Sequence, residues 1–328
     1  VAGIAGGTGK GDGVRIMSCQ IFSGTESTND YSTAQAVKYA TDHGASILQC
    51  SYGYAQSNFT SDAAFEEESP LLCEALNYFF SKKNCDAIDG GIAVYAAGNN
   101  GANSSNYPGG YRECISVTAI SPDYLPTYYT CYGAGCNIAA PGGETIGFVG
   151  GERAGILSTV CSETSKGEDY GYMQGTSMAC PHVSGVAALG LSYALAKGKH
   201  FTREEFMSML LTSVNDIDSR LEGIKNTGKK IDLEDYAGQM GTGLIDAYKL
   251  LMQVEGTPCV TVTAGKEVRI ILTSIFGGSA KNLTYTKVSM SAEDMKKLGI
   301  GKMPEMINGQ LVFTCLNPGT ARISIKAI

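Results

Sequence analysis

Gly175, Thr176 and Ser177 form a tight polar turn directly ahead of an apolar run, Met178-Ala-Cys-Pro-His-Val-Ser-Gly-Val-Ala-Ala-Leu-Gly-Leu191, that reads as a buried helix. A serine at the mouth of such a helix has its side chain held by the turn and its oxygen near the positive end of the helix dipole. That setting suits a nucleophile. It equally suits a plain helix cap, and a Gly-Thr-Ser turn taken alone would be no more than that. Two other stretches bear on the choice. Ala96-Ala-Gly-Asn-Asn-Gly101 presents the amide of Asn99 after a short apolar strand, and Ser51-Tyr-Gly53 follows another strand.

The ordered string Gly175-Thr-Ser-Met-Ala-Cys-Pro-His-Val-Ser-Gly185 closely resembles the nucleophile motif of the subtilisin-like serine proteases. The resemblance implies that Ser177 attacks the peptide carbonyl and that Asn99 donates a side-chain hydrogen bond to the oxyanion. It implies that Ser51, Tyr52 and Gly53 pair with the substrate backbone as an added strand. Ala96, Ala97 and Gly98 would then wall the facing side of the pocket, with Asn106-Tyr-Pro-Gly109 at its floor and Thr176 among the substrate-binding residues. Ala139-Ala-Pro-Gly-Gly143 and Gly241-Thr-Gly-Leu-Ile-Asp-Ala247 are similar to structural blocks of the family. The likeness spans about residues 1–255 and implies an endopeptidase working through an acyl-enzyme.

A serine needs a base to take its proton and a carboxylate to orient that base. The chain has three histidines, and none is a convincing base. His43 lies at a helix end, His200 sits among charged residues, and the family position of His182 is structural. Val1-Ala-Gly3 matches the last three residues of the family's His-Gly-Thr-His-Val-Ala-Gly helix motif, so the resemblance places the catalytic histidine four residues ahead of Val1. The aspartate would stand on a still earlier strand, inside the sheet. The expectation is therefore an N-terminally truncated fragment, inactive alone, whose first partner is the missing N-terminal segment of its own parent chain. Without that strand, two neighbours would keep open edges, and residues 1–328 would be poorly stable alone.

Composition narrows the alternatives. With 43% hydrophobic and 17% charged residues, the 328-residue chain can bury a sizeable core. A net charge of −7 and the lack of a basic run argue against nucleic acid as a partner. No apolar stretch reaches the ~18 residues that would mark a transmembrane segment. The Gly-rich loop Gly6–Gly13 fails as a phosphate loop, because Ile4 stands where the first glycine should and Gly11 follows Lys10. A surface turn is the better account, with Asp12 and nearby carbonyls a weak candidate to help hold a cation.

No cofactor is expected, and no metal cluster is apparent. Family members often bind calcium, yet no clustered carboxylates identify a site. The eleven cysteines lack a C-x-x-C pair; Cys131 with Cys136, or Cys73 with Cys85, could bridge in an oxidising compartment. Glu66-Glu-Glu68 reads as a solvated acidic loop, with a preference for basic substrate side chains as the sharper alternative. The resemblance implies protein or peptide substrates and an extracellular, cell-surface or periplasmic location.

Apolar runs predict strands at Val14–Phe22, Ala45–Ser51, Gly91–Gly98, Cys114–Ile120 and Cys136–Pro141. Helical periodicity marks Ser32–Gly44 and Pro70–Lys83, a capping box opens Thr202–Ser213, and a turn and helix span Met240–Leu251. Phe148–Val160 reads as a hairpin. The alternation predicts an α/β fold, a mainly parallel subtilisin-like sheet flanked by helices. Gly256-Thr-Pro258 then marks a boundary, so residues 1–255 form a partial peptidase domain and residues 256–328 a small β-sandwich-like module. The competing reading is a non-catalytic relative that binds or scaffolds through the same groove. An esterase finds no support, since no Gly-x-Ser-x-Gly elbow surrounds Ser177.

Overall fold

A computed structural model of the chain describes residues 2–23, 28–54, 59–161, 167–260, 262–276, 284–319 and 321–327. It separates into two compact units, Val1–Cys259 and Val260–Ile328.

Strands β1 (Ile47–Cys50), β2 (Ile92–Ala96), β3 (Ile115–Ile120) and β4 (Ile138–Pro141) lie side by side in parallel. Ile47 stands opposite Ile92, Val94 opposite Ile115 and Val117 opposite Ile138. Every residue of β2 and β3 is buried, as expected of strands covered on both faces. A hairpin of β5 (Ile156–Thr159) and β6 (Tyr170–Met173) stands outside this sheet. Further along, β7 (Val214–Asn215), the hairpin of β8 (Ile224–Thr227) and β9 (Lys229–Asp232), and β10 (Leu244–Ile245) follow. β10 joins the main sheet parallel to β4, and β7 ends it antiparallel to β10.

After a single helical turn at Ala2–Ala5, the longer helices of this unit are α1 (Asp30–Asp42), α2 (Asp62–Glu68), α3 (Pro70–Ser81), α4 (Thr176–Ala196), α5 (Arg203–Thr212) and α6 (Ala247–Val254). On one face Val37, Leu72, Leu76 and Phe79 of α1 and α3 pack with Leu48 and Tyr95. On the other, Ala179, Val183, Val186 and Ala187 of α4 pack on Val94, Val117 and Ala140. Leu72, Leu76 and Phe79 are fully buried, which stabilises the fold by about 1.5–3 kcal/mol each. α4 is long and apolar enough to cross a membrane, yet it is the central helix of this core. The capping box forms as the sequence reads: Thr202 accepts from Glu205 N at 3.2 Å while the Glu205 carboxylate accepts from Thr202 N at 2.9 Å.

Four expectations change. Val14–Phe22 is not a buried strand: residues 14–22 make no strand pairing, and Val14, Ile16, Met17 and Phe22 are exposed. Hydrophobicity marks a segment for burial, but a strand also needs a neighbouring edge, and this segment pairs with none among the described residues. Glu66–Glu68 is the end of α2 rather than a loop, with Glu66 bound by Arg112 and Tyr111. The hairpin is made by β5 and β6; Gly151–Ala154 ahead of it is a 3-10 turn. The alternating run Val260-Thr-Val-Thr263, whose period of two predicts a strand, contains none among its described residues, 261 lying outside them.

In the second unit β11 (Glu267–Ile271), β13 (Glu305–Ile307) and β14 (Gln310–Thr314) form one antiparallel sheet. β12 (Tyr285–Met290) pairs with β15 (Ile323–Ala327) in another, and α7 (Ala292–Leu298) lies between them in sequence. Leu298, Ile300 and Cys315 centre its small core.

Candidate active site

Ser177 is the second residue of α4, and the turn before it requires glycine. Gly175 has φ 149°, a backbone conformation that other residues rarely adopt. Its N–H donates to Gly142 O at 3.0 Å, which ties the turn to the end of β4. The amides of the first helical turn are shared out unevenly. Thr176 N–H donates to Asn99 Oδ1 at 2.8 Å, while the N–H groups of Met178 and Ala179 donate to Gly175 O. Ser177 N–H is left without an acceptor among the described residues.

Asn99 follows β2, and its orientation is fixed from one end. Its Oδ1 accepts from Thr176 N and, at 3.0 Å, from Thr176 Oγ1. The same hydroxyl oxygen accepts from Gly98 N at 3.2 Å. Because Oδ1 is held in this way, the Nδ2 group faces the other direction and has no acceptor among the described residues.

Pro181 accounts for another contact. Lacking an N–H, it leaves the Ser177 carbonyl without its usual helical donor. The Ser51 hydroxyl fills that place at 2.7 Å, and the Ser177 hydroxyl lies 3.4 Å from Ser51 O. Ser51, Asn99, Thr176 and Ser177 are thus brought together from three separate parts of the chain.

The remaining expected pocket residues are placed as follows. Tyr52 turns its ring edge-on to Tyr95, at 5.7 Å between centroids, and burial raises its phenol well above the ordinary value. Gly53 lies against Tyr107 O, at 2.8 Å from where a Cβ would stand. Ala96 and Ala97 are buried, so they offer backbone rather than side chains. Gly98, at φ 120°, approaches Asn106 and Cys131 so closely that a Cβ would lie 2.7 Å from either. Asn106 N donates to Ala97 O at 2.8 Å, and its Oδ1 is buried without a partner among the described residues.

No histidine reaches Ser177. His182 Nδ1 bonds Met178 O at 2.8 Å, one turn back along α4, and burial lowers its value below that of ordinary histidine. His43 stacks on Tyr39 and bonds Tyr39 O, while His200 bonds Asp86 O and Asp89.

The cysteines are all free thiols, Cys73, Cys85, Cys131 and Cys136 included. Burial pushes Cys50 up to about 11 and Cys180 up to about 12, so both pack as protonated, unreactive groups. Both Asp12 carboxylate oxygens are taken by Thr8, through its N–H and its hydroxyl at 2.8 Å each. Among the described residues no three His, Cys, Asp or Glu side chains gather as a metal site would require.

Sequence reasoning passed over two features beside Ser177. Gln174 Oε1 accepts from both the N–H and the hydroxyl of Thr145, while its Nε2 donates to Tyr128 OH at 3.0 Å. Its place next to Gly175 was the available signal. An open cleft of about 600 Å³ is lined by Thr145, Glu152, Tyr172, Met173 and Gln174, and reaches Ser177 and Met178. It joins parts of the chain with no local pattern in common.

A mainly parallel α/β sheet with a serine at the mouth of its central helix is the architecture of the subtilisin-like class. The family model described as the Subtilase family matches residues 1–236, and the chain belongs to that family. It is 34% identical over 201 residues to halolysin of Haloferax mediterranei, a match covering 58% of this chain and 32% of that protein. It is 31% identical over 168 residues to an extracellular basic protease of Dichelobacter nodosus, covering 51% of this chain and 24% of that one. The chain thus spans a third or less of the length of these two relatives. Among solved structures, the self-cleaved protease domain of PatA superposes with a TM-score of 0.51 at 22% identity, covering 73% of each chain, which shows the shared fold.

Proposed function

We propose that the parent protein is a serine endopeptidase in which Ser177 is the nucleophile and Asn99 Nδ2 and Ser177 N–H bind the oxyanion. The observation that carries this reading is the pair of unused donors beside the Ser177 hydroxyl, one of them aimed by Thr176. Attack forms the Oγ–carbonyl carbon bond, and the serine proton passes through a base to the departing amine as the C–N bond breaks. Water then hydrolyses the acyl-enzyme. Two preorganised donors in such a site stabilise the charge that develops on the former carbonyl oxygen.

In this reading the base and its carboxylate come from a further segment of the same parent chain. Supporting it, all three histidines are engaged away from Ser177, and the outer edge of β1 is unpaired among the described residues. Residues 1–328 without that segment would be catalytically silent. Substrates would be proteins or peptides, with Ser51–Gly53 as the strand-pairing segment and Asn106 at the pocket floor. Location outside the cytoplasm follows the name of the extracellular relative.

A serine-directed fluorophosphonate should label the full-length protein and fail to label its Ser177→Ala variant. An unlabelled full-length protein would sink the reading. It would favour a non-catalytic binding protein that works through the same groove.

A further inference from the structure

Among the described residues, Glu152 is the only charged one that lines the cleft beside Ser177, and its carboxylate makes no hydrogen bond or ion pair with any of them. The acids around the pocket floor differ in this respect: Asp30 is bound by Tyr54, and Asp62 and Glu66 by Arg112. Arg153, next along the chain, does not line the cleft.

The cleft shares Ser177 with the candidate catalytic site but none of Ser51–Gly53, Ala96–Gly98 or Asn106. If those residues hold the acyl side of an extended substrate, the chain continues past Ser177 on the opposite side, where the cleft receives it. Tyr172, Met173 and Met178 offer apolar walls to a methylene stem, and methionine adapts well to such a stem. Glu152 offers the counter-charge at the end.

We propose that this cleft selects a lysine or arginine within the first two residues on the leaving-group side of the scissile bond. The inference rests on the endopeptidase reading above. Because the cleft is open to water, the ion pair is modest, and the preference for lysine over an uncharged side chain of like length is about five-fold. It weakens with added salt.

The test uses the full-length protein and peptides differing only in lysine, norleucine or glutamate at the first or second position after the bond. The expected order of kcat/KM is lysine, norleucine, glutamate at one of these positions. Glu152→Gln should abolish the difference between lysine and norleucine, and Glu152→Lys should favour glutamate. Equal rates for the three peptides, or an order unchanged in Glu152→Lys, would overturn the proposal while leaving the peptidase standing. Fluorescence polarisation of the same peptides on Ser177→Ala separates the two readings. Uncleaved peptides that still bind in a Glu152-dependent charge order would remove the peptidase and keep the cleft. Neither cleavage nor charge-ordered binding would remove both.

Discussion

The side-chain oxygen of Asn99 accepts two hydrogen bonds from Thr176, one from the amide at 2.8 Å and one from the hydroxyl at 3.0 Å. One end of the carboxamide is thereby spent on structure so that the other end is aimed. Asn99→Asp tests this division, since a carboxylate still accepts from Thr176 but donates nothing. If the full-length protein is the proposed peptidase, its kcat should fall by about a hundred- to a thousand-fold, equivalent to about 2.7–4 kcal/mol, with KM changing far less. Steady-state kinetics on a neutral peptide reads it, and an unchanged kcat would exclude Asn99 as an oxyanion donor.

Gly98 carries a related expectation. Its φ of 120° and the 2.7 Å approach of Asn106 and Cys131 leave no room for a methyl group. Gly98→Ala should lower stability by about 1–3 kcal/mol through backbone strain alone. It should also loosen the Gly98 N–H bond to Thr176 Oγ1. Thermal unfolding would register the first effect and kcat the second. A variant as stable as the parent would refute the strain.

Lys225 is buried in hairpin β8–β9, where it donates to Glu144 Oε2 at 2.8 Å, Ser121 Oγ at 2.6 Å and Pro126 O at 2.9 Å. Glu144 is fully buried, and its Oε1 has no partner among the described residues. Lys225→Ala would strand that carboxylate and should cost about 3–5 kcal/mol. Replacing both residues by methionine should recover most of the loss, because the charges disappear together. Denaturant midpoints of the single and double variants give the comparison. A single variant with an unshifted midpoint would mean that the pair contributes nothing.

Burial holds His182 below the ordinary histidine value. The unfolded chain therefore takes up a proton first as pH falls. His182 does not oppose folding above the ordinary value of about 6.5, and it destabilises the fold as pH drops from there through the lower folded value. His200 acts with the opposite sign, its value raised by the Asp86 carbonyl and the Asp89 carboxylate. The acid loss due to His182 should thus be smaller in His182→Gln than in the parent. Thermal melts at neutral and mildly acidic pH provide the measurement, and parallel losses in both proteins would exclude the assignment.

Much of the molecule is written locally. The apolar runs of β2 and β3, the Thr202–Glu205 capping box and the Gly175 turn are each specified by neighbouring residues, so the sequence alone places the main strands and Ser177 at a helix mouth. What the sequence leaves open depends on partners far along the chain. Val14–Phe22 is as apolar as a core strand, but a strand exists only where another edge meets it. Asn99 is aimed from 77 residues away, Lys225 is neutralised from 81, and Pro181 matters because Ser51, just past the end of β1, supplies the bond it cannot make. Periodicity and propensity act over a few residues, whereas hydrogen-bond satisfaction in a buried site is settled only when distant segments pack.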